Sequence, residues 1–112
     1  MEAERTLRIV TERMYITMDR ILVLDTLKKG GYPEAGRVLY EEIMSRAESA
    51  DKIIIDFDGV QCVATQYITT SIGRLIKEKG YDFVKSKLSF ANIYVSQAAR
   101  IKKYVKAYAN DL

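Results

Sequence analysis

The chain has 112 residues, the size of one ordinary domain, and its composition (48% hydrophobic, 29% charged) is globular. One cysteine and no histidine exclude an internal disulfide, a four-ligand zinc site and any catalytic arrangement that needs a histidine base. The net charge of +3 is small for a dedicated nucleic-acid binder, and no apolar run has signal-peptide or membrane length. We therefore expect a cytoplasmic domain with no cofactor, no metal and no membrane association.

The first half of the chain contains two strand candidates, residues 7–10 and 20–25, which are rich in branched apolar side chains. The pattern leaves open whether residues 15–17 extend the first strand or begin the second. Paired glycines predict a loop over residues 28–32. A proline suited to the first helical turn and apolar residues at steps of three and four predict a helix over residues 33–49.

The centre of the chain has the strongest strand signal, at residues 53–57. Three consecutive isoleucines do not alternate with polar residues, so we expect a central strand that is buried on both faces. Asp58 and Gly59 supply a turn at its end. Thr65 is the predicted N-cap of a helix over residues 65–79, and Gly80 its C-terminal cap.

The last predicted elements are a strand over residues 88–95 and a helix over residues 96–109. The element order is then β-β-α-β-α-β-α, with parallel pairing across right-handed strand–helix–strand crossovers. We predict a single α/β domain over residues 1–112, with its core at about 7–109 and a mixed sheet of about four strands covered by helices.

A short motif around the central strand carries a family resemblance. Asp56-Phe57, Gly59 and Val60, with Tyr67 early in the next helix, are similar to the core of the STAS-like domain of unknown function (DUF4325), a distant relative of anti-sigma-factor antagonists. The resemblance extends over about residues 20–109, and its specific part is much shorter. It implies a small STAS-like α/β fold and a regulatory, protein-binding role without catalysis.

The resemblance also implies a partner and a switch. Anti-sigma-factor antagonists bind a partner with a histidine-kinase-like ATPase fold, and phosphorylation at a helix N-terminus releases them. The equivalent position here is Thr65, and Ala64 stands where that family has an acidic residue. The predicted partner-binding surface consists of Asp58, Gly59, Thr65, Gln66, Thr69 and Thr70. We expect Thr69 and Thr70 to face outward.

Four residues in or near the motif allow two interpretations each. Thr65 is either a phosphosite, favoured by the helix dipole, or an ordinary N-cap. Asp56 and Asp58 could hold magnesium and phosphate in a small enzyme, but with no glycine-rich phosphate loop we favour a hydrogen bond from Asp56 to nearby backbone and a simple turn. Cys62 is interpreted as a small buried apolar residue rather than a reactive thiol.

The last predicted helix is basic and supplies the alternative function. Arg100 and three lysines lie close to several tyrosines, a combination that can bind single-stranded nucleic acid. We favour the simpler interpretation, in which the lysines are solvated and the tyrosines pack inward. The lysines are Lys102, Lys103 and Lys106, and the tyrosines are Tyr94, Tyr104 and Tyr108.

Overall fold

The computed structural model describes residues 6–11 and 14–110, which form a four-stranded sheet with helices packed against it. The strands lie side by side in the order in which they occur in the chain. The first is antiparallel to the second and contains an irregularity between Ile9 and Thr11, whereas the other three are mutually parallel. The strands are β1 (Thr6–Thr11), β2 (Met14–Leu22), β3 (Lys52–Asp56) and β4 (Leu88–Ala91).

Six α-helical segments and one π-helical turn complete the described fold. The π-helical turn, Thr69–Gly73, joins α3 to α4 without leaving right-handed helical backbone, so residues 65–79 form one continuous helix, called here the central helix. The helices are α1 (Val23–Leu27), α2 (Tyr32–Ala47), α3 (Thr65–Ile68), α4 (Arg74–Lys79), α5 (Tyr81–Lys87) and α6 (Val95–Asn110).

The hydrophobic core lies between the helices and one face of the sheet. Ile53 and Ile55 of β3 are fully buried in one cluster with Leu39 of α2 and Leu75 of the central helix. Each such side chain contributes about 1.5–3 kcal/mol on burial. Ile54 points to the opposite face and is only partly buried, so the prediction of a strand buried equally on both faces is wrong for this residue.

Helix α2 and the central helix approach each other closely at Gly36. A Cβ at this position would lie 1.8 Å from the Thr70 hydroxyl oxygen and 2.8 Å from the Tyr67 carbonyl oxygen. Both distances are shorter than van der Waals contact, so only glycine allows the two helices to pack this closely.

The α/β architecture agrees with the prediction, but the predicted element order is incomplete. The second strand takes in residues 15–17 and ends at Leu22, because Val23–Leu27 turns into the short helix α1. In α1 the Thr26 hydroxyl donates to the Val23 carbonyl at 2.7 Å and bonds the Tyr67 hydroxyl at 2.7 Å. This buried pair fixes a helical turn where the branched residues favoured a strand.

The end of the chain differs from the prediction in a similar way. The central helix stops at Gly80 as predicted, at a φ of 96°, and a further helix, α5, follows at once. The last strand is shorter than expected because Asn92 adopts a φ of 54°, which ends the extended backbone, and α6 then begins at Val95 rather than at Ser96.

None of the helices within the described residues combines the length and the apolar character that crossing a bilayer requires.

Candidate functional site

Three parallel strands end at one edge of the sheet, called here the carboxyl edge. In open α/β sheets this edge is where ligands usually bind. Asp56, the last residue of β3, ties the edge together. One of its carboxylate oxygens accepts from Arg20 of β2 at 2.6 Å, and the other accepts from the Asn92 amide beyond β4 at 2.9 Å and from the Asp58 backbone N–H at 2.9 Å.

Asp56 is buried, and its electrostatics follow from these partners. Burial on its own would raise the pKa of the carboxyl, but the hydrogen bonds from Asn92, from the Asp58 backbone and from Arg20 outweigh burial and lower it. The carboxylate therefore stays charged, and both of its oxygens accept hydrogen bonds from the protein. The favoured interpretation, a hydrogen bond between Asp56 and nearby backbone followed by a turn, is confirmed, and Gly59 adopts the positive φ of 81° that the turn needs.

The same contacts bear on the magnesium alternative. A cation at Asp56 would have to displace Arg20 from one carboxylate oxygen, or Asn92 and the Asp58 N–H from the other. Across the described residues, no group of three or more acidic or cysteine side chains is arranged to hold a metal ion.

Large apolar side chains are exposed along the carboxyl edge. Leu22 ends β2 and Leu24 lies in α1, and each is 41% exposed. Tyr94 and Val95 follow β4 and are 56% and 86% exposed. The Leu24 side chain lies 3.6 Å from where a Cβ on Gly59 would stand, so this leucine adjoins the predicted turn. Sequence reasoning missed these four residues because it placed them inside the predicted strands at residues 20–25 and 88–95.

Thr65 is positioned differently from the prediction. The N-cap of the central helix is Ala64, and no side chain caps this end, so the prediction of Thr65 as the N-cap is wrong. Thr65 is the first helical residue and is half-buried. Its hydroxyl lies 3.0 Å from the Tyr104 hydroxyl and accepts from Arg100 at 3.1 Å. The hydroxyl is turned towards α6 rather than back over the helix end.

Arg100 also holds the loop that leads into the central helix. A second guanidinium nitrogen of Arg100 donates to the Val63 carbonyl, while the Val63 N–H donates to Gln97 Oε1 at 3.2 Å. Both backbone groups of Val63 are thus bound by α6. The hydrogen bond with Thr65, with Arg100 adding to it, lowers the pKa of Tyr104 although burial opposes the shift.

The remaining predicted surface residues divide into two groups. Asp58, Gly59 and Gln66 are exposed, as a partner-binding surface requires. Thr69 and Thr70 are half-buried, and both hydroxyls donate to the Gln66 carbonyl, at 3.2 and 2.7 Å. The prediction that Thr70 faces outward is wrong, because this side chain packs against α2 at its glycine.

Cys62 is exposed, so the prediction of a buried residue is wrong. It lies in the loop after β3, where Val60 and Val63 on either side take the buried positions. The spacing of these two valines leaves the thiol on the solvent side.

The basic helix keeps only part of its predicted character. Lys102, Lys103 and Lys106 are exposed, as expected of solvated lysines. Arg100 instead bonds the loop, and the Tyr104 hydroxyl is bonded to Thr65. Tyr94 is exposed, contrary to the expected inward packing, and the side chain of Tyr108 lies outside the described residues.

The sheet and the helices packed against it form a small α/β module, and hydrogen bonds to Asp56 hold its carboxyl edge together. A family model described as the STAS-like domain of unknown function (DUF4325) matches residues 35–98, from α2 to the start of α6. The match covers more than half of the chain, so the protein belongs to this family, and the resemblance is confirmed. Membership suggests a regulatory or interaction module and nothing more specific. No curated protein and no solved structure matches the chain.

Proposed function

We propose that this protein is a non-enzymatic interaction module that binds a partner protein through its carboxyl edge and the start of the central helix. The observation that carries the proposal is the exposed apolar set Leu22, Leu24, Tyr94 and Val95. Water-exposed leucine and aromatic side chains clustered at one edge favour a surface that another protein covers. The polar residues Asp58 and Gln66 are exposed beside the same elements and suit the rim of such an interface.

The rigidity of the edge supports the same proposal. Asp56 holds β2, the turn and the segment after β4 together, and Arg100 holds the loop before the central helix. A surface that is already ordered loses little conformational entropy when a partner binds.

A regulatory switch at Thr65 is the finer part of the proposal. The Arg100 guanidinium is already 3.1 Å from the Thr65 hydroxyl and could pair with a phosphate added there. The phosphate would add about −1.5 to −2 charges beside the partner surface. By analogy with the family's distant relatives, the partner we propose has a histidine-kinase-like ATPase fold.

Affinity capture with matched variants tests the partner surface. Leu24→Asp places a carboxylate on the exposed apolar set, whereas Ser45→Asp places one on an exposed position late in α2, away from the carboxyl edge. We expect an ATPase-like protein to be recovered by wild type and by Ser45→Asp and lost with Leu24→Asp. Equal recovery by both variants would show that the carboxyl edge is not the binding surface.

The switch is tested separately, with the captured partner and purified variants. Thr65→Glu should weaken the partner affinity, because it brings negative charge to the helix start, and Thr65→Ala should retain most of it. If neither substitution changes the affinity and mass spectrometry finds no phosphate on the native protein, the switch is wrong while the partner surface stands.

The three exposed lysines of α6 keep a second function open, a nucleic-acid-associated module. Its affinity for oligonucleotides would fall steeply with salt, and Lys102→Ala, Lys103→Ala and Lys106→Ala would each reduce the salt slope. Weak binding that those substitutions leave unchanged would count against this function.

A further inference from the structure

A second surface lies at the edge strand β4, on the face of the sheet that carries Ile53 and Ile55. The helices α5 and α6 stand on either side of an open groove of about 290 Å³, with β4 as its floor. Its lining is predominantly apolar and includes Val84 of α5, Leu88 and Phe90 of β4, and Ile101 and Val105 of α6. The Phe90 ring is 36% exposed in this groove, so the floor of the groove is accessible from solvent.

The backbone of β4 is available along this groove. The Ala91 carbonyl accepts from the Phe57 N–H at 2.9 Å, so the peptide groups of Ala91 point towards β3. Because the N–H and C=O groups of successive residues in a strand point to opposite edges, those of Phe90 point away from β3, towards the outer edge of the sheet beside the groove. Within the described residues β4 is the last strand of the sheet, and no further strand occupies this edge.

The charges at the groove are of one sign. Lys85 on α5 and Lys102 on α6 are both exposed and both line it, one on each wall. No acidic side chain is among the lining residues that the structure describes. A second copy of this chain docked edge to edge would bring like charges together, which disfavours self-association through this face.

We propose that the groove binds an extended segment of a partner protein as an additional strand beside β4. In this segment every second residue is apolar, and the run of apolar residues is bounded at both ends by acidic residues on the same face. The Phe90 backbone pairs with the segment, the apolar side chains fill the groove, and the bounding acidic residues meet Lys85 and Lys102. This site uses none of the residues of the carboxyl edge, so it is independent of the function proposed above.

The probe is a short fluorescein-labelled peptide in which leucine alternates with threonine, with glutamate at the first and last positions of the leucine face. It is titrated with the full chain and followed by fluorescence anisotropy. We expect saturable binding of the probe and much weaker binding of a peptide with lysine in place of glutamate. N-methylation of every second residue can be placed on the odd or on the even positions of the peptide backbone, and we expect one of these two patterns to abolish binding. Absence of saturable binding, equal binding of the lysine peptide, or indifference to both methylation registers would overturn the proposal.

Matched variants locate the binding. Lys102→Glu should lower the affinity for the probe by about five- to tenfold, because it reverses one of the paired charges. Lys106→Glu makes the same charge change on the same helix outside the groove and should have little effect. Phe90→Ala should weaken the probe by roughly tenfold or more, with its circular dichroism unchanged.

Two results would contradict this assignment. Equal weakening by Lys102→Glu and Lys106→Glu would mean a non-specific charge effect. Self-association detected by sedimentation and abolished by Phe90→Ala would mean that the occupant is a second copy of this chain. The Lys102→Glu comparison decides the question even if Phe90→Ala fails to fold, because an exposed lysine tolerates the change.

Discussion

Arg100 is the residue through which α6 holds the loop before the central helix, and its removal is the sharpest test of the site. Arg100→Ala deletes the donors to the Val63 carbonyl and to the Thr65 hydroxyl. The Val63 N–H keeps its bond to Gln97, so the loop would be held from one side only.

The expected size of the effect follows from these contacts. A hydrogen bond from a charged donor contributes about 1.5–3 kcal/mol, and a buried carbonyl left without a partner costs about 1–3 kcal/mol. The two figures describe the same loss at Val63 and are not additive. Since Arg100 is itself only half-buried, we expect a loss of about 2 kcal/mol. That corresponds to roughly a thirtyfold increase in the population of the open loop.

Hydrogen exchange of the Val63 amide, followed by NMR, measures this opening directly, and urea unfolding gives the global free energy. Arg100→Lys should restore little, because an ammonium cannot reach two acceptors in the fixed geometry of a guanidinium. Lys103→Ala, an exposed position on the same helix, is the control and should leave exchange at Val63 unchanged. Comparable exchange in wild type and Arg100→Ala would refute the role of Arg100.

Three further predictions concern the fold that supports the site. Gly36→Ala should destabilise by about 1–3 kcal/mol through its clash with the Thr70 hydroxyl, and adding Thr70→Ala should recover part of this in urea unfolding; a neutral Gly36→Ala would contradict the packing. The pKa of Asp56 is lower in the folded than in the unfolded protein, where it is about 3.8. The stability that Asp56 contributes is therefore present above pH 3.8 and should be lost as the pH falls through the folded pKa. In urea unfolding, Asp56→Asn should not show this loss of stability in acid. Burial raises the pKa of Tyr67 to about 12, although its bond to Thr26 opposes the shift. The stabilisation from Tyr67 is therefore present below pH 10 and should decline above it, and this decline should be absent from Tyr67→Phe in urea unfolding. Ultraviolet titration near pH 10 should show the same amplitude in wild type and in Tyr67→Phe, and a larger amplitude in wild type would contradict the prediction.

The central part of the fold could be predicted because its signals are local. Three consecutive isoleucines indicated β3, and Gly80, which adopts a positive φ in the structure, indicated the end of the central helix. The helices α1 and α5 were missed because segments of five and seven residues are too short for a helical period to be recognised. In α1 the deciding contact joins Thr26 to Tyr67, 41 positions away, which no local pattern reveals.

The site was predictable to the extent that it depends on turn chemistry. Asp58 and Gly59 were located correctly because a turn after a strand has its own residue preferences. The position of Thr65 was not, because its partners lie 35 and 39 positions further along the chain, on α6. The residues next to a threonine in sequence do not show whether its hydroxyl caps its own helix or bonds to another helix.

The geometry at Thr65 gives the proposed switch a physical route to the loop. A phosphate on Thr65 would compete with the Val63 carbonyl for the same Arg100 guanidinium, and it would win because charged pairs with arginine are stronger and often bidentate. Winning that competition would release the loop from α6. Arg100→Ala, which removes the shared donor, should then weaken partner binding on its own, and adding Thr65→Glu to it should cost less than the sum of the two single effects. Strictly additive losses in such a double-mutant cycle would mean that charge at Thr65 acts on the partner directly and not through the loop.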